Sequence, residues 1–228
     1  MIAMIRWVAI LAVSLGFIPA GHADEATSTL NDTAFLSITT LQLQMAEPVN
    51  RRIPANLRLQ AHCVAVFPSV VKAGLIVAAK HGNGLVSCRH RDTGQWGAPA
   101  VFSLTAASIG IQAGIQSASY VLLFLDEAVA SRLLTGEVSF GSDVGVTAGP
   151  VGAAASYSDS DGVLSYVRTA GLFAGVDLEG ARLSFATEAN QEVYGEAVDA
   201  NQTLFETQTI PPLFVQFHQA LGKFAPNL

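Results

Sequence analysis

The sequence predicts an α+β fold: a curved, barrel-like, mainly antiparallel β-sheet flanked by short helices, in a single domain. Three observations carry this expectation. Between residues 62 and 186, short apolar runs alternate with clusters of Gly, Ser, Asn and Pro, the texture of strands joined by turns. Helix-like segments gather towards the two ends, where they would flank the sheet. Half of the residues are hydrophobic and only 13% are charged. Such a chain buries a sizeable core and is not a disordered one. No stretch after residue 50 has the composition of a linker.

Taken in order, residues 1–23 have the layout of a cleavable export signal. Arg6 gives a positive start, residues 7–18 form a twelve-residue uncharged run, Pro19 breaks it, and Gly21 and Ala23 place small residues before a cleavage point after Ala23. A spanning helix needs roughly 20 apolar residues, so the run is too short for an anchor. The expected location is therefore periplasmic or secreted.

Residues 24–50 read as an N-terminal helical segment, and residues 51–228 as the domain proper. Residues 24–30 are small and polar, a frayed terminus. Asn31 and Asp32 can cap a helix in which Phe35, Leu36, Ile38, Leu41, Leu43 and Met45 are apolar, ending before Pro48. Pro54 suits the first turn of a short helix through Gln60.

Strands are expected over 62–67, 73–80 and 85–90, with His81-Gly82-Asn83-Gly84 as a hairpin turn. Further strands follow over 100–105, 108–115 and 120–126. A short helix at 127–134 meets a C-capping Gly136. Strands resume over 137–147, 163–168, 172–177 and 181–186, and residues 190–194 and 212–221 look helical.

The two cysteines, Cys63 and Cys88, each sit in a strand-like run. In an exported chain two thiols favour a disulfide. The alternative is a metal held with His62, His81 and His90. However, the spacing matches no zinc pattern, and neighbours on a strand face opposite ways. No metal or cofactor is expected.

The formal net charge of −6 speaks against a nucleic-acid partner, which would be repelled. The charge is unevenly spread. Residues 51–91 hold seven basic residues and no acidic one, whereas 14 acidic and 4 basic residues follow from Asp92 onward. One basic face on an acidic body is the expectation.

No nucleophile elbow, zinc-protease helix, phosphate loop or dinucleotide fingerprint occurs. Asp159 and Asp161 read as a solvated turn and lack the full calcium-loop oxygen set. Asp177 and Glu179 share a strand face, and His218 lies on the last helix. None forms a catalytic pattern, and the chain is not expected to be an enzyme.

Several ordered blocks then carry a resemblance. They include Ile53-Pro54 with Leu57 and Ala61, Val64-Ala65-Val66-Phe67-Pro68, Lys72-Ala73-Gly74, and the run from His81 through Arg89. Trp96, Ala98-Pro99-Ala100, Gly110, Ala148-Gly149-Pro150-Val151-Gly152, the run from Gly171 through Val176, Leu178-Glu179-Gly180, Asn190, Tyr194 and Gly195 complete them. Together they resemble the SYLF family, and the paired cysteines look like its bacterial, exported branch. Ala153 stands where the family often has a basic residue, which puts an anion contact there in doubt.

The resemblance implies a non-catalytic lipid- or membrane-surface-binding protein, here of the bacterial cell envelope. The expected lipid-binding residues are Arg51, Arg52, Arg58, Lys72, Lys80, Arg89, Phe35 and Leu41. The apolar side chains would enter an anionic phospholipid surface and the cations would meet its head groups. A yeast branch of the family binds actin; the expected compartment argues against actin here. The alternatives are a structural or partner-binding periplasmic protein with an envelope protein partner, and an unrecognised hydrolase.

Overall fold

The computed structural model describes residues 21–74, 77–109, 114–152, 162–169, 171–176, 178–195 and 198–227. The export segment before Gly21, together with Gly110, Ala153, Asp159, Asp161 and Asp177, lies outside the described residues.

A long helix α1 (Gly21–Ala46) and a short α2 (Ala55–Gln60) precede the sheet. Four long strands follow: β1 (Cys63–Gly74), β2 (Val77–Cys88), β3 (Ala100–Ile109) and β4 (Gly114–Phe124). A short α3 (Glu127–Ala130) leads to β5 (Glu137–Ser139) and β6 (Val146–Ala148). Then come β7 (Val163–Thr169), β8 (Leu172–Gly175), β9 (Arg182–Phe185), α4 (Thr187–Tyr194) and α5 (Val215–Phe224).

The nine strands make one sheet in the order β5-β9-β3-β2-β1-β4-β7-β6, with β8 paired to the remaining length of β7. Only β6–β7 is parallel among the described pairs. The sheet curls into a half-barrel, and the fold is a single α+β domain.

The central strands are buried on both faces, which is why they read as continuous apolar runs. Along β1, Cys63, Ala65 and Phe67 join one core with Phe102, Leu122 and Phe124. Val64 and Val66 point the other way, into a second core with Leu41, Leu57, Phe217, Leu221 and Phe224 from α1, α2 and α5. Helices thus cover one face of the sheet and hold α1 against it.

Cys63 and Cys88 are directly opposed across β1–β2, with Cα atoms 4.0 Å apart, and their sulfurs are bonded. Since both sulfurs are committed to this bond, the cysteines are not metal ligands. His81 lies seven residues along β2 from Cys88, about 23 Å at strand rise. Among the described residues no group of three His, Cys, Asp or Glu could hold a metal ion.

The structure corrects several element expectations. The strand expected over 108–115 is divided between the end of β3 and the start of β4. Residues 24–30 are helical and extend α1. The His81–Gly84 segment is the middle of β2, not a turn. Its glycines are needed because β1 bulges towards them between Phe67 and Val70. A Cβ on Gly82 would lie 2.4 Å from the Ser69 carbonyl oxygen, and one on Gly84 2.3 Å from that of Val66. Glycine here permits close approach of two backbones. Finally, the stretch 137–147 is broken at Gly141, whose φ of +93° turns the chain, while Asp143 accepts a hydrogen bond from Ser139 N–H at 2.8 Å.

Candidate binding surface

Helix α1 mixes polar and apolar residues on both of its faces. Leu30, Thr33, Ala34, Ser37, Thr40, Leu41 and Gln44 recur at helical spacing and are the buried face. Four of those seven are polar. Thr33 and Thr40 donate to the carbonyls of Thr29 and Leu36 one turn back. Ser37 Oγ and both amide atoms of Gln44 have no partner among the described residues.

The outward face carries Phe35, 65% exposed, with Leu36 and Leu43, and Val49 follows at 60%. Phe35 and Leu43 are eight residues apart, about 12 Å along the axis. No charged residue occurs between Asp32 and Glu47. The outer face therefore offers an uncharged, largely apolar ridge.

An unpartnered buried amide costs about 1–3 kcal/mol. Gln44→Met keeps the length and removes the amide, so the variant is expected to be more stable by ~1–2 kcal/mol. Thermal melting checks this; a lower midpoint than the parent would mean that the amide is satisfied in the folded protein.

The cations of residues 51–91 do not form one face. Arg58 is buried; its guanidinium donates to the carbonyls of Ile53 (3.2 Å) and Phe224 and lies 5.3 Å over the Phe224 ring. Arg89 donates to the carbonyls of Ala61, Gly94, Ala225 and Pro226 and stacks 4.2 Å over Trp96. Burial lowers the pKa of both groups, with Arg52 a lesser contributor at Arg58. These two arginines tie the C-terminal segment to the sheet and are not free for head groups.

Arg52 donates to the Glu47 carbonyl at 2.8 and 3.1 Å, just past the end of α1. Arg51 is exposed and 3.5 Å from the Glu47 carboxylate. Lys72 and Lys80 are elsewhere, opposed on the β1–β2 hairpin. Of the two apolar candidates, Phe35 is on the outer face and Leu41 is buried. Phe35 and Arg51 thus remain exposed, while Arg58, Arg89 and Leu41 serve packing.

Between α1 and α5 runs a cleft of about 500 Å³, lined by Ile38, Leu41, Met45, Ala220 and Phe224, with Lys223 among its polar side chains. It borders the outer ridge. Also on α5, His218 Nε2 lies 2.9 Å from the Trp96 carbonyl, so that histidine is bound to the loop.

One structural residue has a role that composition does not reveal. Asn190 is fully buried on α4 and copies a strand partner: its amide accepts from Val101 N–H at 2.8 Å and donates to Val101 O at 2.7 Å. Tyr194 on the same helix donates to Pro99 O, and burial raises its pKa.

The fold is thus a helix-clad, curled sheet that exposes an apolar helical ridge. Residues 105–224 match the family model described as Ysc84, Las17-binding protein actin regulator. The chain belongs to this family, also called SYLF. It is 32% identical over 177 residues to bovine SH3 domain-containing YSC84-like protein 1, covering 75% of this chain and 51% of that protein. Protein YSC84 of Saccharomyces cerevisiae is 32% identical over 167 residues, 70% of this chain and 35% of its own. LAS seventeen-binding protein 3 of the same yeast is 32% identical over 182 residues, 77% and 39%. The chain therefore spans between a third and a half of the length of these relatives.

These findings overturn the expectation that actin binding is unlikely in this compartment. The family description names an actin regulator, and one relative is named for binding Las17. The names describe binding and regulatory proteins.

Proposed function

We propose that this chain is a non-catalytic binding module that docks on anionic membrane surfaces through the outer face of α1, outside the cytoplasm. The observation that carries this reading is the exposed ridge of α1: Phe35, Leu36 and Leu43 face solvent while Ser37 and Gln44 are buried without partners among the described residues. An exposed, uncharged apolar ridge suits the head-group boundary of a bilayer. Lys223, which lines the cleft beside Ile38 and Met45 of α1, adds electrostatic attraction of roughly 1 kcal/mol near an anionic surface. The apolar run before Gly21 supports export.

Co-sedimentation with phosphatidylglycerol-containing vesicles tests the reading. Wild type is expected to pellet, less so as salt rises. Changing Phe35, Leu36 and Leu43 together to Ser is expected to weaken partitioning by at least ~30-fold while leaving the melting midpoint nearly unchanged, since all three are exposed. Equal partitioning of the two proteins sinks it. Filamentous actin is the parallel arm, because the family description names an actin regulator. Pelleting with filaments and not with vesicles would replace membrane docking with a protein-partner role.

A further inference from the structure

Helices α1 and α5 border a groove that is longer than the cleft described above. Pro212 and Leu213, just before α5, line one end of it with Asp32 and Phe35. Ala220 and Lys223, in the second half of α5, line the other end with Ile38 and Met45. Ile38 and Gln216 belong to both ends, so the groove is continuous and the two helices run parallel along it. On α1 its lining recurs as Phe35, Ile38, Gln42 and Met45, one stripe at helical spacing.

The groove has opposite charges at its two ends. Among the described residues, Asp32 and Lys223 are the only charged ones that line it. Both are exposed, and neither takes part in the ion pairs of the described residues, which use Arg51, Arg91 and Arg182. Lys223 lies beside Met45, which is about 20 Å along the α1 axis from Asp32. A groove with an acid at one end, a base at the other and apolar side chains between is complementary to itself after a half-turn about its middle. Two-fold pairing of this kind is the commonest symmetry of soluble oligomers. Each Asp32 then meets the partner's Lys223. Each Phe35, three residues in from Asp32 and 65% exposed, is set over the partner's cleft of about 500 Å³. An aromatic ring seated in an apolar pocket is a strong anchor for an interface. The half-turn also sets the partner's helices antiparallel to α1 and α5, so helix ends of opposite partial charge adjoin.

We propose that the α1–α5 groove is the interface of a two-fold homodimer, held by reciprocal Asp32–Lys223 ion pairs and by Phe35 seated in the partner's cleft. A face two helices wide and about 20 Å long is small for a stable interface, so the dimer is a reversible one with micromolar affinity. Pairing covers Phe35 and Lys223 and withdraws them from any membrane surface. The dimer does not rest on membrane docking.

Sedimentation equilibrium over a micromolar concentration series tests this on wild type, Asp32→Lys, Lys223→Asp, and an equal mixture of those two variants. Wild type is expected to pass from monomer to dimer. Each variant alone is expected to associate at least ~10-fold more weakly, because both ion pairs of its dimer become like-charge contacts. The mixture is expected to recover dimer, since a copy with Lys at both positions and a copy with Asp at both restore two opposite-charge contacts. Asp32 and Lys223 are exposed and at opposite ends of the groove, so neither misfolding nor a pair within one chain produces that recovery. Phe35→Ala is expected to weaken association by at least ~10-fold as well.

A wild type that stays monomeric across the series overturns the proposal. So does a wild-type dimer that the single variants form equally well, or a mixture that behaves as its separate components. Vesicle binding is measured apart from these runs. Asp32→Lys exchanges an acid for a base and is expected to pellet with phosphatidylglycerol vesicles at least as well as wild type. Failure of membrane docking and failure of the dimer are therefore read independently.

Discussion

Replacing Arg58 by methionine is expected to lower stability by ~3–5 kcal/mol and the melting midpoint by roughly 10 °C or more. The guanidinium is the shared donor for the Ile53 carbonyl, which precedes α2, and the Phe224 carbonyl, which ends α5. It also meets Met45 Sδ on α1 at 3.2 Å. One side chain therefore joins three helices beneath the surface. A hydrogen bond from a charged donor contributes about 1.5–3 kcal/mol, and a buried carbonyl left without a donor is costly. Methionine fills the volume and donates to neither carbonyl. Lysine should rescue little, because a point charge cannot reproduce a planar fork. Urea melts of the three proteins check this. A methionine variant as stable as wild type would show that water replaces the guanidinium.

Removing the Cys63–Cys88 bridge is expected to cost about 3.5 kcal/mol on the chain-entropy account for a sequence separation of 25. The bonded residues are also ladder partners between two of the longest strands. The native strands are already in place around the bond, so its effect falls on the unfolded chain. Cys63→Ala/Cys88→Ala should shift the urea midpoint down, and wild type in strong reductant should approach the variant once unfolded. Both sulfurs are fully buried, so thiol reagents should act slowly on the native protein and quickly near the midpoint. Equal midpoints for oxidised wild type and the variant would contradict the estimate.

Local pattern revealed much of this fold. The runs that became β7, β8 and β9 alternate and are separated by Gly171 and Gly180, both at positive φ. Asp126 caps α3 by accepting from Val129 N–H, and Gly136 ends the turn after it in a left-handed conformation. These signals are complete within a few residues.

The errors arose where the deciding atoms are distant in sequence. Asn83-Gly84 looks like a hairpin signal, and only the bulge of β1 against Gly82 and Gly84 shows that the glycines serve close packing. The basic stretch looked like a face because its members are neighbours along the chain. Arg89 turns instead to carbonyls 136 and 137 residues away, at Ala225 and Pro226. In α1 the apolar positions were visible and the choice of face was not. A helix with Ser37, Thr40 and Gln44 among its Leu and Ile residues has no dominant apolar side, so docking onto the sheet and onto α5 selects which residues remain outside.

The rim strands of the described sheet, β5, β6 and β8, are only three or four residues long. An open sheet edge is a template on which foreign strands, including those of sister molecules, can polymerise. Three or four residues offer an incoming chain too few rungs to hold it. On β5 the edge is further blunted by Glu137, paired with Arg182 of β9 at 2.9 Å. A chain that is half hydrophobic can thus keep a wide half-barrel open without seeding fibrils from its rims, and the apolar ridge of α1 can stay exposed as a contact surface.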